Sequence, residues 1–215
     1  MPSNTFLNLP EDKQTRLMDA ASWEFSAKPF NEVSINKIIQ DAGIPRGSFY
    51  MYFQDKEDLF RYLVHGYVEQ LLMVLEELLL RERGDIFAAL RLLFDYVWEK
   101  REEQALGGMG AMSAIISRNG GMQRGALLDL LDSGAVLERL RQSVNPELLD
   151  LRREGDLGQM LAILLSVAGP LLYAGIEAGD APGYREHLDG ILDILRRGMA
   201  RDKAPGISES EEYEV

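Results

Sequence analysis

Apolar residues recur along this chain at the spacing of α-helices rather than of β-strands. Ile35, Ile38, Ile39 and Ala42 follow the i, i+3, i+4, i+7 pattern of a helix with one buried face. A longer apolar stripe at the same spacing continues through residues 59–78. No stretch alternates apolar and polar residues for long, and no Asn-Gly or Asp-Gly turn joins two candidate strands. The pattern predicts an all-α protein.

Capping signals divide this pattern into helices. Ser34 and Asp55 stand where side-chain caps begin helices, and Gly43 stands where a glycine commonly ends one. The first four predicted helices begin at Pro10, at residue 35, at Pro45–Arg46 and at residue 56, the fourth running to residue 83. Further helices are predicted over 85–103, 106–118, 123–142, 156–178 and 182–202.

Residues 33–59 carry the strongest functional pattern. Two short helices joined by a tight turn at 41–43 fit a helix-turn-helix, whose second helix is pinned on one side and enters a DNA major groove with the other. Phe49 and Phe53 can provide the pin. The run from Phe49 to Phe53 is apolar or aromatic on all sides, so part of it must stay outside a small core and form a contact surface.

The residues on and beside this helix have chemistry suited to DNA. Tyrosine hydroxyls can donate to phosphate oxygens, and Met51 can pack on a thymine methyl. Arg46 can read a guanine edge or hold a phosphate, and Gly47 permits close approach of the backbone. Lys56 combines a cation with the positive end of a helix, and both favour phosphate.

Charge and composition limit the other function classes. The net charge is −12, but residues 1–65 carry 7 Lys and Arg against 9 Asp and Glu, so most of the acidity lies elsewhere. Few cations predict modest affinity and a shallow salt dependence for each half-site of the DNA. The absence of cysteine excludes disulfides and thiolate chemistry. His65 and His187 are isolated, and no catalytic, nucleotide-binding or metal-ligand motif occurs, so we predict no enzyme, cofactor or metal.

The stretch from Arg16 to Phe60 resembles the DNA-binding domain of the TetR family of bacterial transcriptional regulators. The resemblance covers about residues 10–60, and its matching pieces are Arg16–Leu17, Ala20–Ala21, Phe25, Phe30, Ser34, Ile38, Ala42–Gly43, Gly47–Tyr50, Tyr52–Phe53, Lys56 and Leu59. Pro45 departs from the family pattern, which often has a capping serine there. The first nine residues hold no Lys or Arg, so a basic minor-groove arm is not expected.

The resemblance implies an all-α homodimer with an N-terminal three-helix helix-turn-helix domain and a larger helical dimerisation and effector domain. We expect the domains at 1–54 and 55–202, followed by a disordered acidic tail at 203–215. The last two large helices, near 156–178 and 182–202, are expected to pair across a two-fold axis. By position, the resemblance assigns phosphates to Ser34, Tyr52 and Lys56, and base edges or their surroundings to Asn36, Arg46, Ser48, Tyr50 and Met51.

The implied function is repression of transcription, relieved by a small apolar or amphipathic effector. Candidate pocket residues are Phe94, Trp98, Met109, Met112 and Tyr173, although each could equally be ordinary core. Control by a protein partner is the alternative, and an enzyme on a helical scaffold is a distant third. The apolar stretch near 160–176 is interrupted by polar, glycine and proline residues, so we expect a core helix, no membrane contact and a cytoplasmic protein.

Overall fold

The computed structural model describes residues 2–101, 110–112, 114–115, 118–119 and 134–201, without the side chains of 173, 176 and 177. Its helices with defined bounds are α1 (Asn4–Leu7), α2 (Glu11–Ala27), α3 (Ile35–Ala42), α4 (Arg46–Tyr52), α5 (Lys56–Arg81), α6 (Ile86–Lys100), α7 (Ala135–Ser143), α8 (Asp156–Ala178) and α9 (Ala181–Met199). The described residues between 110 and 119 are helical too. None of the described residues forms a strand, and the predicted all-α class is confirmed.

The caps predicted from the sequence are the ones that begin and end these helices. The Ser34 hydroxyl accepts from the Lys37 amide at the start of α3, and Gly43 ends that helix in the left-handed conformation at φ +66°. Asp55 accepts from the Asp58 amide at 2.8 Å, and the Asp58 carboxylate accepts from the Gln54 amide at 3.2 Å. This reciprocal pair fixes the start of α5 directly after the helix-turn-helix.

Two predictions about helices were wrong. The continuous helix expected over 123–142 does not pass through Gly134, which has a φ of +71° and precedes the first residue of α7. The expectation that regular structure begins at Pro10 omitted α1, a single turn whose first amides are capped by the Ser3 hydroxyl. A helix of four residues is about one turn long, so it is too short to show a periodic pattern in the sequence. Its stability comes from tertiary contacts.

The N-terminal helices form a small unit that we call the reading head, defined as α1–α4 with the first two turns of α5. In it α2 packs on α3 and α5, α3 packs on α4, and α1 packs on α4. Its centre is aromatic and fully buried, with Phe6, Phe25, Phe49, Phe53 and Phe60. The predicted domain boundary at 54/55 falls at the start of α5, but the side chain of Phe60 lies inside the head, so α5 belongs to both parts.

The larger part consists of the rest of α5 with α6–α9 and is tied together by ion pairs between helices. Arg91 of α6 donates to Asp189 of α9 at 2.7 Å and to Asp193 at 2.5 Å. Arg139 of α7 donates to Glu69 and Glu76 of α5. Within the described residues, no helix is both long and apolar enough to cross a membrane. The predicted tail at 203–215 lies outside the described residues.

Candidate nucleic-acid interface

The exposed face of α4 is formed by Arg46, Gly47, Tyr50 and Met51, while Phe49 on the opposite face is fully buried. Tyr50 is 60% exposed and Met51 is 59% exposed, which is unusual for side chains of this size. The Tyr50 ring meets the Phe49 ring edge-on at 5.3 Å between centroids. The pin that α4 needs is therefore present, and its outer face stays open to a partner.

The carboxyl end of α4 is held by the N-terminal segment of the chain. The Ser3 amide donates to the Tyr52 carbonyl at 2.9 Å, and the Ser3 hydroxyl donates to the Met51 carbonyl at 2.5 Å. Phe6 then packs against the rings of Phe53 at 4.9 Å and Tyr62 at 5.4 Å. These contacts satisfy carbonyls that would otherwise be unpaired at the helix end and fix the orientation of α4.

Lys56 has a structural position that the sequence does not reveal. Its ammonium group donates to the carbonyls of Phe30 at 2.6 Å, Val33 at 3.1 Å and Asn31 at 3.5 Å, and it lies 4.6 Å from the centre of the Phe30 ring. An ammonium group has three donors, and all three are engaged here. Lys56 thus anchors the connection between α2 and α3, and its predicted phosphate contact stays a prediction.

Buried Glu24 fastens the same connection from the other side. Its Oε1 accepts from the Ser34 amide at 3.1 Å and from the Lys28 ammonium at 2.8 Å. The carboxylate of a buried residue needs such partners. Together with Lys56 it fixes the start of α3.

Few cations on this surface are available to a polyanion. Lys37 pairs with Asp41 at 2.7 Å, which raises the pKa of Lys37 and keeps it charged but partly neutralised. Arg46 forms no ion pair with any other described residue. The head therefore presents one unpaired guanidinium beside an aromatic and apolar surface.

The predicted DNA contacts fall into two groups. Ser34, Ser48, Tyr52 and Lys56 are half-buried, and each of these except Ser48 has an identified structural contact, as a cap, a ring neighbour or an anchor. The exposed members are Asn36 on α3 and Arg46, Gly47, Tyr50 and Met51 on α4. The second group is the one that a groove could reach directly.

The larger part of the molecule touches the reading head through Arg118 and Asn119. The buried Asn119 side chain accepts from the Phe30 amide at 2.6 Å and donates to the Ile115 carbonyl at 3.0 Å. Arg118 donates to the Ser26 carbonyl at 2.7 Å. The Asn119 contact ends on the connection that Lys56 anchors, and the Arg118 contact ends on the last turn of α2, so displacement of residues 118–119 would also displace the start of α3.

A buried hydroxyl pair forms a second link between the parts. Ser22 of α2 and Tyr67 of α5 lie 2.7 Å apart. Burial raises the pKa of the Tyr67 hydroxyl above its ordinary value, so this hydroxyl stays protonated and can donate.

The larger part contains a partly open cavity of about 80 Å³. Its described lining is apolar throughout and consists of Val68, Leu71, Leu72, Leu75, Leu90, Leu93, Phe94, Val136, Leu165, Ala168, Gly169, Leu172 and Leu188. Of the predicted pocket residues, Phe94 lies on this wall. Trp98 is half-buried under the Arg101 guanidinium and Met112 is buried, both away from the cavity. Met109 and the side chain of Tyr173 lie outside the described residues.

The outer faces of α8 and α9 expose apolar and small residues. Ile194 of α9 is 60% exposed, and Ile163 of α8 is also exposed. Gly183 and Gly190 lie on the same exposed face of α9 and border a shallow groove. Among the described residues no group of three or more His, Asp or Glu side chains could hold a metal ion.

Comparison with known proteins agrees with the geometry of the reading head. Residues 17–63 match the family described as bacterial regulatory proteins, tetR family. The HTH-type transcriptional regulator YdgC of Bacillus subtilis is 30% identical over 104 residues, which are 45% of this chain and 53% of YdgC. The chain spans about half the length of the curated relatives it matches.

Solved structures extend the likeness of fold to almost the whole chain. SmeT, the repressor of the Stenotrophomonas maltophilia multidrug efflux pump SmeDEF, superposes with a TM-score of 0.57 at 21% identity, covering 91% of this chain and 96% of SmeT. SmeT in complex with triclosan superposes with a TM-score of 0.54 at 19% identity, covering 95% and 100%.

Proposed function

We propose that this chain, whose residues 17–63 match the tetR family of bacterial regulatory proteins, is a homodimeric repressor of transcription released from its operator by a small apolar ligand. The observation that carries the proposal is the outer face of α4. That face leaves Tyr50 and Met51 exposed on a helix whose opposite side is locked into an aromatic core. Its proposed place of action is the cytoplasm, where the operator DNA lies.

A second copy is needed because one head has too few cations to hold DNA alone. Two heads about one helical turn apart, roughly 34–36 Å, can enter successive major grooves. The exposed apolar residues of α8 and α9 supply a surface on which two copies can pair, as the family resemblance implies. Gly190 of α9, around which a side-chain carbon would meet no atom within 4 Å, allows the helices of two copies to approach closely.

The cavity supplies a site for the ligand and a reason for release. Its volume is about half that of an engineered apolar cavity that admits benzene, roughly 150 Å³. A drug-sized ligand must therefore push the surrounding helices apart, and α5 is one of them. Because α5 begins at Lys56, displacement of this helix reaches the α2–α3 connection and changes the spacing of the two heads. That SmeT, a protein of the same fold, has been solved with triclosan supports such a site.

DNA binding is tested by selecting duplexes from a random library with the full-length protein and titrating the preferred duplex at several salt concentrations. We expect Arg46→Ala to weaken specific binding at least about tenfold, since a guanine or phosphate contact is worth about 1–3 kcal/mol. We expect Lys56→Met to leave the salt slope of the wild type unchanged, because its ammonium is engaged by carbonyls rather than by phosphate. Lys56→Met should instead lower the melting temperature.

The matched control is Arg153→Ala, an exposed arginine before α8, which should bind as the wild type does. Failure to enrich any sequence would overturn the proposed function. A salt slope that falls by about one for each head in Lys56→Met would show that Lys56 does contact phosphate.

The ligand site is tested by filling the cavity. Ala168 is buried on its wall, so Ala168→Val places two additional methyl groups inside it. We expect neutral arenes, from benzene to triclosan, to raise the melting temperature of the wild type and weaken its DNA binding. The variant should lose both responses, because the space is occupied.

Ala135→Val is the control, since Ala135 is exposed at the start of α7 and lies outside both the cavity wall and the α8–α9 face. An unchanged response in Ala168→Val, or no response of the wild type to any arene, would remove this cavity as the ligand site while leaving DNA binding untouched.

A further inference from the structure

The exposed face of α4 has few hydrogen-bonding groups for the size of its apolar surface. Of its four outward residues, Gly47 has no side chain, Met51 has no donor, and Tyr50 and Arg46 provide the polar groups. Asn36 and Lys37 of α3 are also exposed, but Lys37 is paired with Asp41. The face therefore has little with which to read the donor and acceptor pattern of base edges.

Met51 is an exposed apolar side chain that would be stabilised by contact with an apolar group of the DNA. It is 59% exposed beside Gly47, around which a side-chain carbon would meet no atom within 4 Å. This open space lets a base edge come close to the helix. The thymine methyl is the only apolar group that the four base pairs present in the major groove. A thioether packs well on such a group because it is flexible and polarisable.

We propose that Met51 is a specificity-determining residue that recognises a thymine methyl group in each half of the operator. The inference rests on the proposed function, since it requires that α4 enters the major groove. In this proposal the preference for thymine comes from burying its methyl group against Met51 and not from a hydrogen bond. Arg46 and Tyr50 remain available for a guanine edge or a phosphate on either side.

The expected size of the effect follows from the area of one methyl group. Removing one such contact weakens binding about fourfold, and about fifteenfold when both half-sites lose it. Because Met51 is exposed and makes no core contact, replacing it with alanine leaves the fold intact. The change is therefore measurable as a change in affinity alone.

The experiment uses two forms of the duplex preferred in the selection. One form has thymine, and the other has uracil in place of every thymine of the two half-sites. Uracil pairs as thymine does but lacks the methyl group. We expect the wild type to bind the uracil duplex about fifteenfold more weakly. Met51→Ala should bind both duplexes equally, with an affinity near that of the wild type for the uracil form.

Met73→Ala is the matched control, because Met73 on α5 is likewise 59% exposed but lies away from the head. It should keep the wild-type preference. Equal binding of both duplexes by the wild type, full discrimination by Met51→Ala, or a preferred site without thymine would each overturn the inference. All three outcomes occur in a protein that binds DNA specifically, so they are distinct from failure of the proposed function, in which no duplex is enriched.

Discussion

Phe6→Ala is expected to lower the free energy of unfolding by about 3 kcal/mol and the melting temperature by roughly 6–12 °C. Phe6 is fully buried and contacts the rings of Tyr52, Phe53 and Tyr62, so its removal leaves a cavity where α1, α4 and α5 meet. The loss also releases Ser3 from the end of α4. We therefore expect weaker DNA binding as well, measured by urea denaturation and by titration of the selected duplex.

Leu7→Ala is the internal control for this prediction. Leu7 is the next residue of α1, but it is exposed, so its truncation should change stability by no more than about 0.5 kcal/mol. Equal stability of the two variants would mean that α1 does not belong to the folded head. DNA binding by Phe6→Ala at wild-type affinity would show that α4 keeps its orientation without the N-terminal segment.

Ile194→Glu is expected to convert the proposed dimer into monomers and to weaken binding of a duplex with two half-sites by at least about a hundredfold. A carboxylate at this position would be buried against its copy across the two-fold axis, without a partner. The second head would then no longer be held near its half-site, and such tethering contributes about 10²–10⁴ in affinity. Sedimentation velocity measures the association, and duplex titration measures the affinity.

Leu80→Glu is the control, since Leu80 is an exposed apolar residue on α5 and lies outside the α8–α9 face. It should remain a dimer and bind DNA normally. A dimeric Ile194→Glu protein would place the interface elsewhere on the molecule. A monomeric one with unchanged affinity would contradict the view that one near-neutral head binds too weakly alone.

Local signals made the helix-turn-helix predictable from the sequence. Ser34, Gly43 and Asp55 act on atoms within three or four residues of themselves, so their effect is visible in the chain as written. The same is true of the buried and exposed sides of α4, because the spacing of Phe49 and Phe53 determines which side the core receives. The burial of Phe49 and the exposure of Tyr50 and Met51 agree with that spacing.

Contacts between distant segments were not predictable in this way. The ammonium group of Lys56 meets carbonyls 23–26 residues earlier in the chain, a contact that the sequence does not indicate, while its phosphate contact stays a prediction. Asn119 lies 89 residues from the Phe30 amide that it accepts from. Hydrogen-bond partners of this kind depend on how the helices are placed in space. The sequence around one partner does not indicate which residue the other will be.

By itself the sequence determined that this protein is helical, where α3 begins and ends, where α4 and α5 begin, and which side of α4 is exposed, because caps and periodicity act over one or two turns. The tertiary structure decided that the N-terminal segment closes the end of α4, that Lys56 anchors the α2–α3 connection, and that an apolar cavity remains between α5, α6, α8 and their neighbours. The physical reason is that cavities and long-range hydrogen bonds are properties of packed surfaces, which exist only once the chain has folded.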